Sequence, residues 1–157
     1  MTKICKLLLS VLSACILSAC SGSSSPEDVA VDTVTYIFEG KFEKAIENVH
    51  IPSDLKTEEE IRNFKLSGMK VVMENMTDDY GYFARVNKKI KENGGFKKVK
   101  AIPYDDSRFV YYTNWYGDDD EVIKGALVKL VVVCKNGEEI EMDTQSLRMD
   151  NGKWKIK

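Results

Sequence analysis

"KENGGFKKVKAI", Lys91–Ile102, is the stretch at which the chain changes its period. Upstream of Gly94 and Gly95, apolar residues recur at helical spacing. Downstream they alternate with polar ones, the mark of a strand with one buried face. Phe96 to Ile102 is therefore expected to be the first strand, and everything before Asn93 that is regular is expected to be helical. Helices that all precede strands imply an α+β fold rather than an alternating α/β one.

Upstream, Phe83, Val86 and Ile90 fall on one side of a helix expected to start at Asp78 or Asp79 and to stop at Asn93-Gly94-Gly95. Before it, Thr57 and Glu60 form a capping box. The long helix they open carries Ile61, Phe64, Met69, Val72, Met73 and Met76 at helical spacing. The Met69, Met73, Met76 stripe reads as core packing. "HIPSDLK", His50–Lys56, reads as a linker. "KFEKAIENV", Lys41–Val49, reads as a short helix with Phe42, Ala45, Ile46 and Val49 inward. The first helix starts at Ser25-Pro26-Glu27-Asp28: Ser25 caps, Pro26 suits the first helical position, and the two acids complement the dipole. Ala30, Val34, Ile37 and Phe38 share its inner face, and Gly40 stops it.

Downstream, strands are expected over Arg108–Tyr116, Val122–Cys134, Glu139–Met149 and Lys153–Lys157. Asn136-Gly137 is the dipeptide preferred in tight hairpins, and Asp150-Asn151-Gly152 makes a further turn.

The amino-terminal end concerns location. Lys3 and Lys6 precede a charge-free stretch from Leu7 to Cys20, shorter than the roughly 20 residues that a membrane-spanning helix needs. A basic start, a short apolar run and small residues before a cut form the pattern of an export signal. Leu-Ser-Ala-Cys occurs twice, ending at Cys15 and at Cys20. The motif resembles the bacterial lipobox, in which cleavage before a cysteine precedes its lipidation. Cys20 is the better site, because it leaves a longer apolar run before the cut and a polar tether, Ser21–Ser25, after it. The expected organisation is a signal peptide over residues 1–19, a lipidated Cys20 with its tether over 20–25, and one α+β domain over 26–157. The resemblance implies attachment to the membrane through lipid on Cys20. Ser21 rather than Asp after the cysteine implies the outer membrane, facing the periplasm.

The 157 residues carry 23 basic and 25 acidic side chains, a net charge of −2. Loss of Lys3 and Lys6 with the leader makes the mature chain more acidic. With no basic excess, nucleic acid is not expected as a partner. Of the four cysteines, Cys5 and Cys15 leave with the leader and Cys20 takes lipid. Cys134 then stands alone, without a disulfide partner, and reads as a small core residue.

"SPEDVAVDTVTYIFEGKFEKAIENV", "KENGGFKKVKAI" and the terminal "DNGKWKIK" together resemble the cystatin-like, or nuclear transport factor two-like, superfamily. The resemblance extends over Pro26–Lys157. It implies N-terminal helices packed on a strongly curved antiparallel sheet that forms a cone. More narrowly, the chain is similar to a family of small bacterial lipoproteins of that fold. That family carries no assigned activity, so the resemblance implies a fold and a location but no chemistry.

Enzymes on this cone use a pocket carboxylate with a tyrosine, or an Asp–His pair. The one histidine, His50, lies in the linker beside Pro52 and reads as an exposed loop residue. The aromatic stretch "RFVYYTNWYG", Arg108–Gly117, is more suggestive. Tyr111 and Trp115 share one face there and offer an apolar wall with polar tips, suited to lining a ligand pocket; the plain alternative is that they cover core and sheet surface. "GDDDE", Gly117–Glu121, lacks the spaced carboxylates of a calcium loop. No metal site, cofactor or catalytic constellation is expected. Lys88, Lys89, Lys91, Lys97 and Lys98 crowd one bend, with Lys100 beyond; they read as a solvated face, or as one that meets anionic headgroups. The expectation is a lipid-anchored binding or accessory module without catalysis. A pocket enzyme of the same fold and a domain that pairs through its sheet are the alternatives.

Overall fold

The computed structural model describes residues 25–102, 109–113 and 122–157, with side chains described for 25–102 and 125–157. Four helices precede a strongly curled antiparallel sheet, as the change of period requires. The helices are α1 (Pro26–Phe38), α2 (Phe42–Ile46), α3 (Glu58–Thr77) and α4 (Tyr82–Glu92). The strands are β1 (Phe96–Ile102), β2 (Phe109–Thr113), β3 (Val122–Cys134), β4 (Glu139–Glu141), β5 (Gln145–Asp150) and β6 (Lys153–Ile156).

The sheet is organised around β3, whose two halves have different neighbours. Its C-terminal half lies between β1 and β4, with Val132 opposite both Val99 and Ile140. Its N-terminal half lies between β2 and β5, with Ala126 opposite both Phe109 and Leu147. β6 adds to β5, and Val49 makes a single parallel bridge to Ile156 beyond it. Dividing its edges in this way lets one long strand curl. The expected strand Glu139–Met149 is correspondingly split: Met142 N–H still reaches Leu130 O at 3.0 Å, but the ladder breaks before Gln145.

Alternation on β3 fixes the core. Ala126, Val128, Leu130, Val132 and Cys134 point at the helices and join Val99, Ile140, Met142, Leu147 and Trp154. α1 lays Val29, Ala30 and Val34 on them, and α4 adds Val86 and Ile90. On the other face, Val131 and Val133 are also buried. Their register neighbours are Lys98 and Lys100 on β1 and Glu139 and Glu141 on β4. The Lys100–Glu139 pair, 2.6 Å, and the Lys129–Glu141 pair, 3.1 Å, flank these valines in the sheet.

Local chemistry accounts for the element ends. Ser25 and Asp28 form a reciprocal capping box on α1, and Thr57 and Glu60 form one on α3. α4 departs from expectation. Its N-cap is Gly81, and Asp78 instead ends α3 and accepts from Tyr80 N–H at 3.0 Å. Asn75 Oδ1 accepts from Phe83 N–H at 3.3 Å, so α3 supplies the cap that α4 lacks. The two Asn-Gly turns also differ. Asn151 and Gly152 both have positive φ, 48° and 76°, and join directly paired Asp150 and Lys153, the mirror-image two-residue hairpin. Asn136-Gly137 sits in a longer loop, closed by Cys134 N–H to Glu138 O at 2.8 Å.

Candidate functional site

The short α2 is held firmly for its length. Buried Thr33 on α1 accepts from Asn48 Nδ2 at 3.0 Å, and Asn48 O accepts from Ile156 N–H at 2.8 Å. His50 N–H donates to Ile156 O at 2.8 Å, and Lys155 Nζ reaches Glu47 O at 2.5 Å. The segment after α2 is thus tied to both α1 and β6, which is why it is shorter than Lys41–Val49. Val49 leaves the helix to make the β-bridge.

α3 is held differently. It contacts α2 and α4, and none of its side chains is fully buried. At the crossing with α2, a Cβ on Gly68 would stand 2.7 Å from Ile46 Cδ1, so the helices approach closely there. Beside the crossing lies a groove of about 400 Å³ lined by Glu43, Ile46, Glu47, Glu58, Ile61, Arg62, Lys65, Leu66 and Met69. Its floor is apolar: Ile46, Ile61, Leu66 and Met69. Leu66 is 52% exposed. Lys65 Nζ bridges the walls to Glu47 at 2.7 Å. Beside the groove lies a smaller, partly open hollow of about 40 Å³ between α1, α2 and α3, which shares Ile46 and Met69 with it. A groove of this size with an apolar floor and a few charges at the rim suits a small apolar ligand.

The methionine stripe is the expectation that fails here. Met69 and Met76 are half-buried and Met73 is 50% exposed. Sequence reasoning missed Leu66 and the groove. The signal was present: Leu66 and Val71 lie outside the stripe, so the apolar arc of α3 is wider than one packed face needs.

His50 is a second correction. It is in the linker, but its side chain is only 16% exposed, and Nδ1 lies 3.2 Å from Asp150 Oδ2. A carboxylate only accepts, so Nδ1 carries the proton. Burial lowers the His50 pKa, the nearby Arg148 lowers it further, and Asp150 pulls the other way without prevailing. The pair lies on the outer face of the sheet, since Arg148 and Asp150 alternate with the core residues Leu147 and Met149. The Arg148 Nε is buried with no partner among the described residues.

For the remaining expected residues, Tyr111 falls within β2, with its backbone opposite Lys124. Cys20, Trp115 and the acidic turn Gly117–Glu121 lie outside the described residues. Cys134 is a free, buried thiol in the core, with its pKa pushed up by burial. Among the described residues, no three His, Cys, Asp or Glu side chains converge as metal ligands, and no helix is long and apolar enough to cross a membrane.

Comparison with known proteins supports the architecture. The chain matches a crystal structure of "Putative NTF2-like transpeptidase" from Campylobacter jejuni with a TM-score of 0.50 and 20% identity, over 85% of this chain and 97% of that one. At that identity the likeness shows the fold, a cone of the nuclear transport factor two-like type, and no chemistry. No family model matches the chain, and no curated protein does.

Proposed function

We propose that this protein is a lipid-anchored binding module of the bacterial envelope, tethered through Cys20 to the outer membrane and facing the periplasm. Its task is to hold a small apolar ligand in the α2–α3 groove, and it performs no catalysis of its own. The observation that carries this reading is the exposed apolar floor of Ile46, Ile61, Leu66 and Met69 between one firmly held helix and one loosely held helix. Leu66→Glu tests it. Leu66 is exposed, so the fold should survive, but a carboxylate on the floor opposes apolar occupancy. Nile red should fluoresce with the wild-type protein and lose most of that signal in the variant at unchanged thermal midpoint. Equal fluorescence from both proteins removes the groove as the site.

A further inference from the structure

The end of the domain opposite the start of α1 carries an unusual charge. Two turns meet there, the α4–β1 turn at Asn93-Gly94-Gly95 and the β3–β4 turn at Lys135-Asn136-Gly137. They are stitched by Lys135 N–H to Gly95 O at 2.9 Å and by Asn136 Nδ2 to Asn93 Oδ1 at 3.0 Å. The stitching brings together lysines from three elements: Lys88, Lys89 and Lys91 on α4, Lys97 and Lys98 on β1, and Lys135 on the β3–β4 turn. All are exposed, and none of their ammonium groups has a hydrogen-bond or ion-pair partner among the described residues. Nearby Lys100, by contrast, is paired with Glu139. On these two turns and their flanks, Glu92 and Glu138 are the unpaired acids among the described residues, in a chain whose net charge is −2. A fold that pairs Lys41, Lys65, Lys100 and Lys129 with acids elsewhere leaves these six open together.

We propose that this end docks on an anionic phospholipid surface through Lys88, Lys89, Lys91, Lys97, Lys98 and Lys135. The choice of a membrane over an acidic protein rests on the lipid-anchor reading above, which keeps a bilayer permanently within reach. The geometry permits it. Phe38, the last residue of α1, stacks on Phe96 at 5.8 Å, so the far end of α1 is beside the lysines. The thirteen residues of α1 span about 20 Å. The tether from Cys20 to Ser25 reaches about 20 Å when extended. The tether is thus long enough to run back along α1, which lets the anchor and the lysine end reach the same headgroups while the exposed acids of α1, Asp28 and Asp32, stay off the surface. The attraction acts within about 8 Å at physiological salt and weakens as salt rises. Lipid and basic patch are then two signals, each reinforcing the other.

The test uses the full-length protein as processed in a bacterial envelope, reconstituted on phosphatidylcholine vesicles and on vesicles one quarter phosphatidylglycerol. A membrane-impermeant amine reagent labels exposed lysines, which are read by mass spectrometry. On the anionic vesicles the six lysines should label about threefold more slowly or less, relative to Lys56 and Lys70, and the protection should vanish in high salt. Lys88→Glu, Lys91→Glu and Lys98→Glu combined should abolish protection of the other three; the Gln versions serve if the Glu protein melts early. Equal labelling on both vesicle types overturns the proposal. Retention on the neutral vesicles reads the anchor separately. Retention without protection leaves the anchor standing and overturns the docking. Protection on anionic vesicles without retention on neutral ones sustains docking and overturns the anchor.

Discussion

Gly81 shows how a single residue sets the geometry of the α3–α4 corner. Its φ is −60°, which any residue adopts, so conformational freedom is not what requires glycine there. Space is: a Cβ would stand 2.1 Å from the Asn75 carbonyl oxygen. Because that contact is backbone, Gly81→Ala must open the α3–α4 corner, at a cost of about 1–3 kcal/mol in chemical denaturation. An unchanged stability would mean that the corner is looser than described. His50 is the second residue with a measurable consequence. Its pKa is lowered in the folded state, chiefly by burial. The unfolded chain therefore takes up the proton first as pH falls through about 6.5. The contribution of His50 to stability is fully present above that value and is lost below it, until the folded value is reached. Wild-type stability should fall between pH 7.5 and 5.5 by more than that of His50→Gln. A smaller fall in the wild type would mean that Asp150 prevails and the pair is ionic. The His50–Asp150 contact was invisible in the sequence because one hundred positions separate its partners. The linker assignment was right, and the exposure was not.

Among the elements, α3 is the one whose role the sequence half-revealed. Its start was legible, because Thr57 and Glu60 sit at fixed spacing and need nothing from the rest of the chain. Its burial was not legible, because periodicity marks an apolar face without saying what covers it. Ile61, Val72 and Met76 are partly covered, while Leu66, Val71 and Met73 remain exposed. The strands were read more accurately. Phe96–Ile102 and Val122–Cys134 match to the residue: alternation marks the first, and a β-branched apolar run between turn residues marks the second, buried on both faces at its end. The broken return strand was read as one piece because Met142 continues the apolar pattern across the gap. A helix with few buried contacts opens more readily than its neighbours. Amide exchange in α3 should therefore be faster than in α1, whose Ala30 and Val34 are sealed against the sheet. Equal protection in both helices would show that something covers the apolar ridge of α3 in solution.

At the scale of the molecule, fold and site separate cleanly. The order of helices and strands is a property of the whole sequence, and it marks the α+β class; the curved cone was implied by the family resemblance, and the structure bears it out. The groove arises between two helices joined by a loop, beside their close approach at Gly68, and no motif records such a gap. The anchor belongs to residues outside the described part and stands on the repeated Leu-Ser-Ala-Cys alone. Cys20→Ala should abolish metabolic labelling with an acyl probe, while Cys15→Ala should leave it intact; the reverse pattern would contradict the choice of site. If both the anchor and the groove are as proposed, the molecule holds an apolar ligand at the membrane surface, where such ligands are met.

The most direct measurement is a native mass spectrum of the protein released without denaturation from its own envelope, beside that of Leu66→Glu. The wild type should carry a bound species of one reproducible mass that the variant lacks. A bare chain in both preparations, or the same added mass in both, would contradict the groove as a ligand site.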